Sequence, residues 1–167
     1  MSIEELTRKD DLVSSRIIIR KMTEADLPEL EWDGEFTHFR NLYRGVYDRM
    51  VRGSAMAWVA EDPDIGHVGQ VFLQLDCDRP ELADGWKRAY LYSFRIKPQY
   101  RNLGIGSRMI AVLEDYLKQR HFSRLTLNVA RDNLDAIRLY KRCQFQIVAD
   151  EPGIWSYHDH RGKLQTV

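Results

Sequence analysis

The residues of this chain whose types and spacing suit chemistry fall in two short stretches. The first is Arg101-Asn102-Leu103-Gly104-Ile105-Gly106. Gly104 and Gly106 let the backbone approach a ligand closely where a helix starts. Several free backbone N–H groups then converge, and such an amide cluster at a helix N-terminus binds an anion such as a pyrophosphate. The turn is not a nucleoside-triphosphate loop, because no Gly-Lys-Ser/Thr ends it. It is not a dinucleotide fingerprint either, because the third glycine would fall at Met109. The second stretch holds Asn133, Ala136, Ile137 and Tyr140, which repeat at helical spacing and share one face. Taken alone, that stretch reads as an amphipathic helix with a partly buried tyrosine.

Two other candidates are weaker. Cys143 has no histidine or other base near it in sequence, which favours a buried small thiol over an acyl-carrying nucleophile. His158 and His160 would point to the same face of a strand, but no third ligand accompanies them, so no metal site is assigned.

The glycine turn needs a strand before it and a helix after it, and both are legible. Tyr90, Tyr92, Phe94 and Ile96 alternate, which predicts a strand from Arg88 to Lys97. Pro98 ends it. Ile105, Met109, Val112, Leu113, Tyr116 and Leu117 form a helical stripe with one buried face. Upstream, Arg16 to Arg20 reads as a first strand, Thr23 to Asp26 as a capping box opening a short helix with Pro28 in its first turn, and Thr37 to Arg52 as a second helix stopped by Gly53. Ala55 to Ala60 and Val68 to Leu75 form a hairpin. Downstream, Arg124 to Val129 is a fifth strand, Asn133 to Arg142 a helix, and Phe145 to Val148 and Ile154 to His158 the last strands. Met1 to Ser15 reads as a loose tail.

The chain has 167 residues, 44% hydrophobic and 30% charged, which suits one soluble α/β domain over 1–167. Lys+Arg and Asp+Glu both number 25, so no global basic field points to nucleic acid. Two cysteines give no disulfide framework, which fits a reducing cytoplasm. Met1 to Lys21 has no apolar core of a signal peptide, and no apolar run reaches membrane-spanning length.

Arg-x-x-Gly-x-Gly after a strand ending in Pro, followed in order by Asn-x-x-Ala-x-x-x-Tyr and then a Phe, resembles motifs A and B of the GNAT superfamily of N-acetyltransferases. The specific motifs lie between Phe94 and Phe145. The resemblance implies an acyl-CoA N-acyltransferase fold, with a central mixed, mostly antiparallel sheet of 6–7 strands flanked by about four helices. It implies acetyl-CoA as co-substrate, no metal, and direct transfer to a primary amine in a ternary complex. The acceptor would be a small molecule or a peptide, with neither nucleic acid nor membrane as partner, and dimerisation is common among similar proteins. The cofactor site implied is Phe94, Arg95, Ile96, Arg101, Asn102, Leu103, Gly104, Ile105, Gly106, Ser107, Asn133, Ala136 and Tyr140. In it, Phe94 N–H faces the oxyanion, Ile96 holds the pantetheine arm, Asn133 contacts the pantetheine or its phosphate end, and Tyr140 is the general acid.

The sequence departs from the family pattern twice. Many members carry a Glu on the fourth strand as general base, and this strand has no carboxylate. Tyr92, Glu35 or a water chain remain for that role. The second departure is Gln144-Phe145, where Gly-Phe is common, so that turn needs either a non-glycine residue at positive φ or an altered geometry. The missing Glu also leaves open an acyl-CoA-binding or sensor module of the same fold. Glu29, Glu31, Asp33 and Glu35 either attract a cationic amine or form a solvated loop. Trp32, Phe36 and Trp86 either line an acceptor pocket or simply pack.

Overall fold

A computed structural model describes residues 2–167. Helix α1 (Ile3–Arg16) leads into β1 (Ile18–Lys21). Two 3₁₀ stretches, Glu24–Glu31 and Thr37–Phe39, precede α2 (Arg40–Arg52), and β2 (Ala55–Asp62), β3 (Gly66–Gln74) and β4 (Arg88–Ile96) follow. After the glycine turn come α3 (Ile105–Gln119), β5 (Arg124–Leu127), α4 (Leu134–Arg142), β6 (Ser156–His158) and β7 (Leu164–Thr166).

Of the segment expected to be a loose tail, Met1 lies outside the described residues, and the rest from Ile3 is α1. Ser2 and Glu5 cap it reciprocally: Ser2 N–H donates to Glu5 Oε2 at 2.7 Å, and Glu5 N–H to Ser2 Oγ at 3.2 Å. That Ser-x-x-Glu signal was readable in the sequence. The end of α1 is tied down by Ser14 Oγ, which donates to the Leu103 carbonyl, and by Arg108, which donates to the carbonyls of Ser14 and Ile17. The expected first short helix is 3₁₀, and Pro28 sits beyond its first turn.

The five-stranded sheet has the order β1-β2-β3-β4-β5, antiparallel except for the parallel β4–β5 pair. It is therefore mixed and mostly antiparallel, but two strands short of the upper expectation. Among the described residues, β6 and β7 pair only with each other. They lie near α2, where Asn41 Nδ2 donates to the Asp159 carbonyl. Phe145 to Val148, expected as a strand, is irregular, and Val148 is 92% exposed. Its alternation and β-branched residues suit a strand, but only Phe145 is partly buried against the core, and Gln146, Ile147 and Val148 are exposed with nothing to hold them against the sheet.

The sheet's two faces carry different cores. On one, Val71, Leu73 and Leu91 pack with Met109, Ile110 and Leu113 of α3. On the other, Ala57, Val59 and Phe72 pack with Leu30, Tyr43 and Val46. Full burial of each such large side chain contributes about 1.5–3 kcal/mol. No helix among the described residues is long and apolar enough to cross a membrane.

Candidate active site

β4 positions the site because it is irregular in the middle. Gln70 of β3 faces Arg95 and Phe72 faces Tyr92, so Val71 alone faces both Ser93 and Phe94. β4 thus holds one extra residue, a β-bulge. Ser93 takes up the kink at φ 50°. On its other edge β4 pairs with β5 only as far as Leu91, opposite Leu127. Beyond that point the strands part, and a cleft of about 240 Å³ opens between Leu91–Arg95, Asn128–Ala130 and the face of α4 that carries Asn133, Ala136 and Tyr140.

α4 begins at Asn133, whose Oδ1 accepts from the Ala136 N–H at 3.3 Å. This is an ordinary side-chain N-cap. It fixes the start of the helix and with it the position of Tyr140 two turns on. Tyr140 lies with its ring centroid 6.5 Å from Phe94 and 5.6 Å from Phe145. Burial, with the nearby Cys143 and Tyr90, pushes its phenol up to about 12, so it stays protonated at neutral pH. The helix ends through Gln144 at φ 72°, with Phe145 N–H donating to the Tyr140 carbonyl. Of the two ways to turn without glycine, the chain uses the residue at positive φ.

The glycine turn follows β4 through a 3₁₀ stretch, Pro98–Tyr100. Tyr100 Oη donates to the buried carboxylate of Asp62, and Arg101 Nε to the Ile96 carbonyl at 2.8 Å, so the start of the turn is anchored. Asn102 and Gly104 sit at φ 59° and 80°. Gly104 caps α3 without a side-chain hydrogen bond, which leaves the first N–H groups, those of Ile105, Gly106 and Ser107, without helical acceptors. A Cβ on Gly104 would meet nothing within 4 Å, so the space beside the cap residue is open. The donor set and the open space fit an anionic diphosphate. Gly106 has a different reason. A Cβ there would come within 3.1 Å of Leu139 Cδ2, and close to Phe94 and Ile96, so this glycine lets α3, α4 and β4 meet.

The structure thus brings Tyr92, Phe94, Arg95, Asn133, Ala136 and Tyr140 around one cleft. Ile96 and Arg101 to Ser107 lie beyond it, along the same strand and turn. The base candidates are less well placed. The Tyr92 hydroxyl accepts from Arg49 and donates to Gln74, and burial raises its pKa, which makes it a poor base at neutral pH. Glu35 is exposed. Trp32 is buried and donates from Nε1 to Gln70, and Phe36 packs edge-on to it, whereas Trp86 is 69% exposed. Glu31, from the acidic patch, is held by Arg40. Sequence reasoning missed Ser93 and Asn128. A non-glycine bulge residue has no sequence signature, and Asn128 became visible only where β5 leaves β4.

A model of the "Acetyltransferase (GNAT) family" matches residues 19–145. None of the proteins of curated function matches the sequence. Solved structures resemble the fold at low identity. AAC(6')-Iy in complex with a bisubstrate analogue, CoA-S-monomethyl-acetylneamine, is 14% identical, covers 81% of this chain and 95% of its own, and has a TM-score of 0.66. Arabidopsis thaliana NAA60, also with a bisubstrate analogue, is 22% identical over 90% of this chain and 94% of its own, at a TM-score of 0.63. Glucosamine-6-phosphate N-acetyltransferase from Arabidopsis thaliana is 14% identical over 83% and 97%, at 0.64. The family model spans most of the chain and both sequence motifs, and the chain belongs to the GNAT family of acetyltransferases.

Proposed function

We propose that this chain transfers an acetyl group from acetyl-CoA to a primary amine by direct attack in a ternary complex. The observation that supports this best is the arrangement along β4. One strand carries the bulge at Ser93–Phe94, leads into the uncapped start of α3, and faces Tyr140 across the cleft. Acetyl-CoA supplies the activated acyl group as a thioester.

Each residue then has one task. The N–H groups of Ile105, Gly106 and Ser107 hold the diphosphate. Ile96 steadies the pantetheine arm along the strand edge, and Asn133 meets its far end with the amide nitrogen that capping leaves free. The Phe94 N–H at the bulge donates to the carbonyl oxygen as negative charge builds there. Tyr140 donates towards the leaving sulfur. Its proton is held at about 12 and a thiol's near about 8.5, so complete transfer to the thiolate is uphill. Its main work is a hydrogen bond that strengthens as the sulfur becomes anionic. The acceptor must arrive neutral, because an ammonium has no lone pair. With no carboxylate on β4, its proton leaves to water at the open end of the cleft.

The test is thiol release from acetyl-CoA in the presence of a panel of primary amines. Turnover should appear, with intersecting rather than parallel initial-rate plots. Tyr140→Phe should lower kcat by about 10²-fold while acetyl-CoA still stabilises the protein. Stabilisation without turnover on any amine would make the chain an acyl-CoA-binding module instead.

A further inference from the structure

The guanidinium of Arg95 is the least explained charge beside the cleft. Arg95 lies directly after the bulge and projects to the α2 face of the sheet, away from the glycine turn. Its Nη1 donates to Ser93 Oγ at 2.9 Å and to Tyr43 Oη at 3.2 Å. Its guanidinium carbon sits 4.4 Å from the centroid of the Phe36 ring and 5.3 Å from that of Phe39. Two hydroxyls and two aromatic faces therefore fix it in place. No carboxylate among the described residues forms an ion pair with it. Glu31 is close enough to act on the same Tyr43 hydroxyl, but both its oxygens are taken by Arg40. Arg49, the next cation on this face, also forms no ion pair with a carboxylate among the described residues. It donates to the Tyr92 hydroxyl, and its Nε is buried without a partner.

A partly buried cation without a counter-charge is costly unless something anionic meets it. This one is preorganised, within hydrogen-bond distance of the bulge residue that borders the reaction cleft. It has donors left over, because only Nη1 is engaged. A guanidinium with free N–H groups in a fixed plane matches a carboxylate or a phosphate two bonds at a time. This side of the cleft thus offers a fixed cation with spare donors, while its neighbouring carboxylate, Glu31, is already neutralised by Arg40 and is not free for a polyamine or a bare cationic amine.

The geometry points to an acceptor that carries an anionic group, a carboxylate or a phosphate, beside its primary amine, with Arg95 as the residue that selects it. This rests on the acetyltransferase reading. It narrows the acceptor class to zwitterionic amines such as amino acids, acidic peptides or phosphorylated amino sugars, and disfavours polyamines.

The experiment pairs each anionic amine with a neutral counterpart: glycine with glycinamide, β-alanine with its amide, glucosamine 6-phosphate with glucosamine, and a short peptide ending in a free carboxylate with its C-terminal amide. The wild type should prefer the anionic member of at least one pair in kcat/KM. Arg95→Gln should collapse that ratio by about ten- to a hundredfold, the loss expected for a charge-assisted hydrogen-bonded pair. The loss should sit mainly in KM. Arg95→Lys keeps the charge and the apolar stem and should restore part of the ratio, which guards against a Gln variant that merely loosens Phe36 and Phe39. Equal use of both members of every pair, or a ratio unmoved by Arg95→Gln, overturns the inference. So does a protein that acetylates no anionic amine although acetyl-CoA still raises its Tm. Absence of any acetyl-CoA shift would instead remove the acetyltransferase reading on which the inference depends.

Discussion

The two faces of β4 hold their surroundings in different ways. On the α3 face, close approach is made by backbone and by the absence of side chains. Gly106 admits Leu139, Phe94 and Ile96, and Gly104 leaves open space beside the start of the helix. On the α2 face, position is set by bulky side chains. Tyr43, Phe72 and Tyr92 meet edge to face, Phe39 touches Tyr43 and Tyr157, and two arginines are threaded among them. A face built from amides can serve a ligand common to many proteins, because every chain has amides. A face built from particular side chains can choose among acceptors, and it leaves no motif behind.

The largest expected effect comes from hollowing each face in turn. Leu113 and Phe72 are both fully buried. Leu113→Ala should destabilise by about 2–5 kcal/mol and Phe72→Ala by about 3–5 kcal/mol, measured by denaturant unfolding. The comparison lies in what survives. Leu113→Ala should weaken stabilisation by acetyl-CoA, whereas Phe72→Ala should keep it and blunt discrimination among acceptors. If both variants lose the cofactor shift equally, the two faces are not separate in function.

A smaller effect isolates the close approach. Gly106→Val places two methyl groups where a Cβ alone would already be 3.1 Å from Leu139. It should cost about 1–3 kcal/mol of stability and lower affinity for acetyl-CoA. Isothermal titration of the variant checks the second half. Unchanged affinity would mean that α3 and α4 can separate without disturbing the site.

The smallest effect is confined to acid. Each face is pinned by one aspartate held below the ordinary carboxylate range. Asp26 is held there by hydrogen bonds from Arg20, and Asp62 by the Asp64 N–H, with Tyr100 and Arg16 adding. Such a carboxyl takes up a proton more readily when the chain unfolds. Its contribution is therefore complete above the ordinary aspartate pKa of about 3.9 and is lost as pH falls through the folded value. Tm followed from pH 6 down to about pH 3 should fall at the acid end. Asp26→Asn and Asp62→Asn should each flatten that fall, starting from a lower plateau at neutral pH. A profile as steep as the wild type's in both variants would place the acid sensitivity elsewhere.

The same contrast explains what the sequence made legible. Strand, turn and helix from Arg88 to Leu117 follow from alternation, from Pro98 and from a helical stripe, all of which are local. Asn133 at the start of α4 was equally local. The bulge at Ser93 was not, because it arises from register against β3. The pairing of β6 with β7 alone, and the irregular course of Phe145 to Val148, depend on which partner a β-prone segment finds, and alternation does not carry that information. α1 was missed although its capping box was in view, because a polar stretch at a chain end reads as loose until its last turn meets Leu103 and Arg108. Arg95 lay inside a recognised motif, yet the direction of its side chain required the bulge and Tyr43.

The most direct test of the account is thermal unfolding with and without acetyl-CoA, for the wild type and for Gly104→Glu. At a hundred times its Kd, acetyl-CoA should add about 2.7 kcal/mol and raise Tm by a few degrees. Gly104→Glu places a carboxylate and a strained φ at the start of α3, and should abolish the shift although the variant still unfolds cooperatively. No shift in the wild type at millimolar acetyl-CoA, or an equal shift in the variant, would contradict the assignment of this turn as the cofactor site.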